Sequence, residues 1–289
     1  MIPRWRIIQT GAADAFTNMA IDEAILRGYR CGFSPPTLRI YAWKSPSLTL
    51  GYSQDAGSAL DVELCRSNSV PFVRRITGGG VILHDREITY SLVCSKEDLG
   101  LTNGVECSYK AISSFLISFY KRLGLDAMFA CDYFKETRLG LPNALCFAAK
   151  EKYDIVVGGR KIGGSAQKRS KDFIFQHGSI PISLDMERAN AFMRSKYTAV
   201  SLDGATCLEE LLGSNIGAAC ASNMLAKSFA DSFGLDIFGS VLYESEEIIA
   251  MNLRALKYES PEWNFERIDK TASACGKKEM DVNDASGVA

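Results

Sequence analysis

The chain predicts an α+β fold whose last third is helical. Apolar residues recur at helical spacing from Phe16 through Met19, Ala20, Ala24 and Ile25, while alternating apolar runs gather around glycine clusters near residues 78–80 and 158–164. Beyond residue 185 the pattern turns helical, and neither a repeated βαβ unit nor an internal repeat is present.

The elements follow in order. "RWRIIQT" at 4–10 reads as a strand, and the helix after it has Asp14 as its N-cap. "TLRIYAW" and "SLTLGYS" are short strands separated by Pro46, with a helix expected around 57–67. The stretch 70–96 gives three β segments interrupted by a triple-glycine turn, with Ile88, Tyr90 and Leu92 alternating. A helix is expected over 105–123 from Ala111, Phe115, Phe119 and Leu123. Residues 153–182 form a meander whose first hairpin turns at Gly158-Gly159. "LEELLG", "IGAACASNMLAKSFADSFG" and "ESEEIIAMNLRALKY" supply the closing helices. From Ile268 the chain is polar, so the expected organisation is one domain over 1–267 and a disordered tail over 268–289.

Bulk properties narrow the function. With 289 residues and 47% hydrophobic content the chain is long and apolar enough to bury a substantial core. Thirty-three basic side chains nearly cancel thirty-four acidic ones, so net charge gives no reason to expect nucleic acid or an anionic membrane as partner. No apolar run reaches the roughly 18 residues of a membrane span, and the N-terminus lacks a signal-peptide pattern, which points to a cytoplasmic protein. Nine scattered cysteines without a CxxC pair suggest neither a disulfide framework nor a zinc site, and two histidines are too few for a His-rich metal centre.

Four segments could carry chemistry. "RRITGGGVILHD" at 74–85 combines glycines that allow close backbone approach with arginines suited to phosphate or carboxylate. It is neither a P-loop nor a Rossmann fingerprint, and a tight turn at a sheet edge explains it equally well. "GRKIGGSAQKR" at 159–169 places Lys161 on a strand beside open backbone, where an ammonium can neutralise an oxyanion or serve only as a solvated edge charge. Arg160, Lys161, Lys168, Arg169 and Lys171 form a basic run without an acidic residue, suited to docking an acidic surface or simply to a solvated loop. Cys146 sits in a loop-like segment, "NALCFAAK", where a nearby ammonium would favour the nucleophilic thiolate.

Together "NMAIDEAIL", "LTLGYSQ", "RRITGGGVILHD", "CF" at 146–147, "YDIVVGGRKIGGSAQKR", "QHGSI" and "KYESPEWNFER" resemble the biotin/lipoate protein ligase superfamily, and within it the LipM type of octanoyltransferase. The resemblance covers about residues 4–267 in the family's motif order. It implies a mixed or antiparallel β-sheet flanked by helices, of the kind shared with class II aminoacyl-tRNA synthetases. Carried over residue by residue, it implies that Cys146 is the nucleophile and Lys161 lies at the acyl carbonyl. Arg75, Gly78, Gly79, Gly80, His84, Gly164, Ser165 and Ala166 would border the acyl group. The implied reaction takes an octanoyl or lipoyl group from acyl carrier protein through a cysteine thioester to a lysine of a lipoyl-domain protein such as the glycine cleavage H protein. It needs neither ATP nor metal, only the thioester on the carrier's phosphopantetheine. Three other readings are an ATP-dependent lipoate ligase, an octanoyl amidotransferase between lipoyl domains, and a non-catalytic acyl-binding scaffold.

Overall fold

The computed structural model describes residues 4–101, 105–134, 151–194 and 204–271. Strand β1 (Trp5–Ala13) leads into helix α1 (Ala15–Arg30), whose N-cap Asp14 accepts the Thr17 N–H at 3.0 Å as expected. Next come β2 (Thr37–Trp43), β3 (Ser47–Leu50), the short helices α2 (Ala56–Ala59) and α3 (Val62–Ser67), and β4 (Phe72–Arg74), β5 (Ile82–His84) and β6 (Glu87–Cys94). Then α4 (Val105–Arg122), β7 (Ala127–Phe129), α5 (Ala130–Tyr133), β8 (Ile155–Val157), β9 (Arg160–Lys161), β10 (Gly164–Arg169) and β11 (Ile174–Pro181) follow. Helices α6 (Met186–Ala191), α7 (Leu208–Leu212) and α8 (Ala218–Phe233), strand β12 (Ile237–Ser240) and helix α9 (Glu244–Leu253) complete the regular elements, with π-helical turns at Arg254–Tyr258 and Glu262–Glu266.

The main sheet has the order β10-β11-β6-β2-β1-β12. β12, β1 and β2 run parallel, and the β2–β6, β6–β11 and β11–β10 pairs are antiparallel. Helices α4 and α8 cover one face, packing Phe115, Phe119 and Phe229 over Trp5, Ile7, Leu38, Ile40, Tyr90 and Leu92. Helices α1 and α9 cover the other, over Ile8, Tyr41, Val93 and Phe175. Covered on both sides, β6 and β11 are buried along their whole length. Two three-stranded sheets, β4-β3-β5 and β7-β8-β9, sit at the margins and carry the glycine and lysine motifs.

Three expectations change. The helix expected over 57–67 is two helices, because Leu60 turns extended to bury its side chain and Asp61 starts a new cap on the Leu64 N–H. The short strands β7 and β12 have no sequence counterpart in the expected elements. Residues 268–271, at the head of the expected tail, are packed: Lys257 binds Asp269 at 2.6 Å, and Arg27 donates to the Thr271 hydroxyl at 2.7 Å. Residues 272–289 lie outside the described residues.

Candidate active site

The triple-glycine loop joins β4 to β5, and two consecutive buried arginines, Arg74 and Arg75, lead into it. Arg75 folds its guanidinium back, donating to the Gly78 carbonyl at 2.7 Å, to the Gly80 carbonyl at 2.7 Å and to the Thr49 hydroxyl at 3.1 Å. It therefore shapes the loop wall, so its guanidinium is spent on backbone carbonyls and the Thr49 hydroxyl, where the sequence left open a phosphate- or carboxylate-binding role or a tight turn. Arg74, which the sequence reading did not single out, is the larger hub. It donates to the carbonyls of Tyr52, Gln54, Trp263 and Asn264, and its own carbonyl accepts the Trp263 indole N–H at 2.8 Å. Because five donors in a fixed fork can reach several carbonyls at once, one arginine ties the 51–54 turn and the C-terminal "WN" pair to the loop. Gly51 must be glycine here: a Cβ would lie 1.8 Å from the Gly79 carbonyl oxygen.

The loop then meets β11. The Thr77 hydroxyl lies 2.7 Å from His177 Nε2, and Asp22 of α1 stands 3.8 Å from His177 Nδ1. Burial lowers the pKa of His177 despite Asp22. Burial alone would raise the Asp22 carboxyl, but Arg39 at 2.6 Å, with further hydrogen bonds, holds it below the usual carboxylate range. Asp22 and His177 sit in the "NMAIDEAIL" and "QHGSI" stretches but were not among the expected site residues. The available signal was a titratable residue within each of two quoted motifs, in elements whose periodicity predicts a buried face.

His84 is fully engaged inside the protein. Thr49 Oγ1 lies 2.8 Å from Nε2 and Glu87 Oε1 lies 2.8 Å from Nδ1, while Trp43 stacks on the ring at 3.9 Å. Glu87 also accepts the Ser179 hydroxyl at 2.6 Å. Burial opposes ionisation of Glu87, yet His84 and these hydrogen bonds lower its pKa. His84 thus braces β5 against β6 and β11 and presents no spare ring nitrogen to an acyl chain.

The lysine hairpin is made by β8 and β9 around Gly158 and Gly159, at φ +56° and +78°, the left-handed pair that a two-residue turn requires. It buries Lys161, 1% exposed, against Asp154 at 2.6 Å. Gly163, at φ +131°, then switches the chain into β10 with its Cα so close to β11 that a Cβ would sit 2.4 Å from the Ser179 carbonyl. In β10, Ala166 pairs with His177, on the glycine-loop side. Ser165 alternates to the other face, where its hydroxyl is 2.8 Å from the Tyr90 hydroxyl. Ala166 thus pairs with the β11 residue that meets the glycine loop through Thr77, while the Ser165 side chain is turned away. There, Tyr109, Ser113, Leu116 and Tyr120 of α4 line a cleft with Asp154 and residues 162–165.

The basic run 160–171 is not one surface, since Lys161 is buried on Asp154 and Arg160 pairs with Glu210. Cys146 lies outside the described residues. Among the described residues, no three of His, Cys, Asp or Glu are grouped to hold a metal ion, and no helix is long and apolar enough to cross a membrane.

Residues 14–230 match the lipoyl protein ligase A/B catalytic domain family. The chain belongs to that family. Its glycine loop, lysine hairpin and β11 all fall within the matched span. Octanoyltransferase LipM of Kyrpidia tusciae is 39% identical over 272 residues, covering 91% of this chain and 99% of that protein. Octanoyltransferase LipM of Anoxybacillus flavithermus is 36% identical, covering 91% and 98% respectively. A crystal structure of lipoate-protein ligase A bound with ATP superposes with a TM-score of 0.74 at 25% identity, covering 93% of this chain and all of that one. Like its relatives, this family member is an acyltransferase.

Proposed function

We propose that this acyltransferase moves an octanoyl group from the phosphopantetheine thioester of acyl carrier protein, through a thioester on Cys146, to a specific lysine of a lipoyl-domain protein, with the glycine cleavage H protein as the leading acceptor. The observation that carries the reading is the near-complete, end-to-end likeness to octanoyltransferases of the LipM type. Support comes from Lys161, a buried cation held by Asp154 at 2.6 Å two residues before Gly163 turns the chain into β10.

In this reading the Cys146 thiolate attacks the donor carbonyl, the C–S bond to the pantetheine sulfur breaks, and that sulfur leaves as a thiolate that takes up a proton. The Lys161 ammonium stabilises the oxyanion in both half-reactions, and the glycine-loop wall with Ala166 confines the chain. A thioester exchanged for a thioester is close to balanced in energy, so no ATP is consumed. Lys161→Ala lowers transfer about 10²–10³-fold, the usual loss of an oxyanion-stabilising group. The test is transfer from octanoyl-loaded acyl carrier protein to an apo lipoyl domain with ATP omitted. Activity that appears only with ATP and free lipoate or octanoate contradicts the proposal and returns the chain to the ligase reading.

A further inference from the structure

The glycine loop is held from its own side by Arg75, which reaches back to Thr49 of β3, and by the Tyr52 N–H, which donates to the Thr77 carbonyl at 2.8 Å. Neither bond fixes where the loop stands relative to the main sheet. The Thr77 side chain makes that connection. Its hydroxyl lies 2.7 Å from Nε2 of His177 on β11, and the Cα partner of His177 in β10 is Ala166. His177 therefore links the loop that carries the glycine motif to the strand that follows Lys161.

The histidine is itself set from behind. Asp22 stands 3.8 Å from Nδ1 and is immobilised by three donors: Oδ1 accepts Arg39 at 2.6 Å and the Ser91 hydroxyl at 2.6 Å, and Oδ2 accepts the Tyr41 hydroxyl at 2.9 Å. A carboxylate on that side favours the ring proton on Nδ1, which leaves Nε2 as acceptor and makes Thr77 the donor. Burial, by lowering the His177 pKa, keeps the ring neutral in this arrangement. Thr77 and His177 are both buried, so water cannot take over the bond when either partner is lost.

We infer that His177 is a positioning residue for acyl transfer: through Thr77 it latches the glycine loop to β11 and so sets the loop's place relative to β10 and the lysine hairpin. Asp22 acts behind it by fixing the ring's orientation. The latch touches no reacting atom and works through geometry alone, since a wall displaced by about 1 Å costs on the order of 10² in rate.

Hydrogen–deuterium exchange of the full chain, followed by mass spectrometry over residues 75–81, reads the latch without any substrate. Thr77→Val keeps the shape but removes the donor, and His177→Asn carries an amide too short to reach Thr77. Each should speed exchange over 75–81 about five- to tenfold, the effect of one net hydrogen bond on a local opening. The double variant should be no faster than the faster single, because both substitutions remove the same bond. Thr77→Ser restores a hydroxyl and His177→Gln restores an acceptor near the Nε2 position, and both should bring exchange back toward wild type. In octanoyl transfer from acyl carrier protein, which rests on the proposed function, Thr77→Val and His177→Asn should lower kcat about 10- to 10²-fold with donor KM within about twofold, and the same conservative variants should rescue it. Unchanged exchange over 75–81 in Thr77→Val overturns the inference. So does additive acceleration in the double variant, or equal acceleration across β2 and β6, either of which marks a general contribution to packing. A loop that opens while kcat stays at the wild-type value also overturns it. No transfer by the wild type refutes the proposed donor instead, and the exchange result alone then decides the latch.

Discussion

Gly51→Ala tests whether the two backbone loops must touch. The alanine Cβ would lie 1.8 Å from the Gly79 carbonyl oxygen, and ordinary van der Waals contact begins at 3.4 Å, so a loop has to retreat by about 1.6 Å. Neither side yields cheaply. The 51–54 turn is held by Arg74, and the glycine loop by Arg75 and by the Tyr52 N–H on the Thr77 carbonyl at 2.8 Å. Overpacking of this kind costs about 1–3 kcal/mol of stability. A catalytic wall displaced by about 1 Å loses on the order of 10² in rate. Thermal unfolding should show the modest loss, and octanoyl transfer the large one. A folded Gly51→Ala enzyme with transfer within about twofold of wild type would refute the idea that the loop's close approach to Gly51 sets the site's geometry.

Other substitutions probe the buried network. Asp22→Ala leaves the Arg39 guanidinium, wholly buried, without its carboxylate, and denaturant unfolding should register about 3–5 kcal/mol. Trp263→Phe removes the donor to the Arg74 carbonyl, and the same measurement should lose about 1–3 kcal/mol. Acid should destabilise the fold. Asp22, Glu23 and Glu87 have lowered folded-state pKa values, so they contribute stability above the ordinary carboxylate range near about 4 and lose it as pH falls through their folded values. A pH series of denaturation midpoints that stays flat from pH 6 to about pH 3 contradicts this assignment.

Much of this was legible in the residues, because local physics and tertiary role agree there. Asp14 caps α1, Gly158 and Gly159 form the hairpin turn, and Ile88, Tyr90 and Leu92 alternate onto the α4 face. What was not legible depends on partners far away in sequence. Strand β12 is only four residues long and exists because it pairs with β1, more than two hundred positions earlier. Arg74 looked like one of two equivalent arginines until Trp263 and Asn264 closed on it. Lys161 read as part of a basic surface because nothing local says that Asp154, across the hairpin, takes it into the interior. Ser165 was grouped with its neighbours by motif, although strand alternation turns its side chain to the opposite face.

The central claim is that a cysteine carries the acyl group. Intact-mass analysis of the enzyme after incubation with octanoyl-loaded acyl carrier protein, without ATP, tests it most directly. The account predicts an adduct of one octanoyl group that maps to Cys146, is released by an apo lipoyl domain and is absent from Cys146→Ala. Octanoyl transfer by Cys146→Ala at the wild-type rate, with no adduct on either protein, would contradict it.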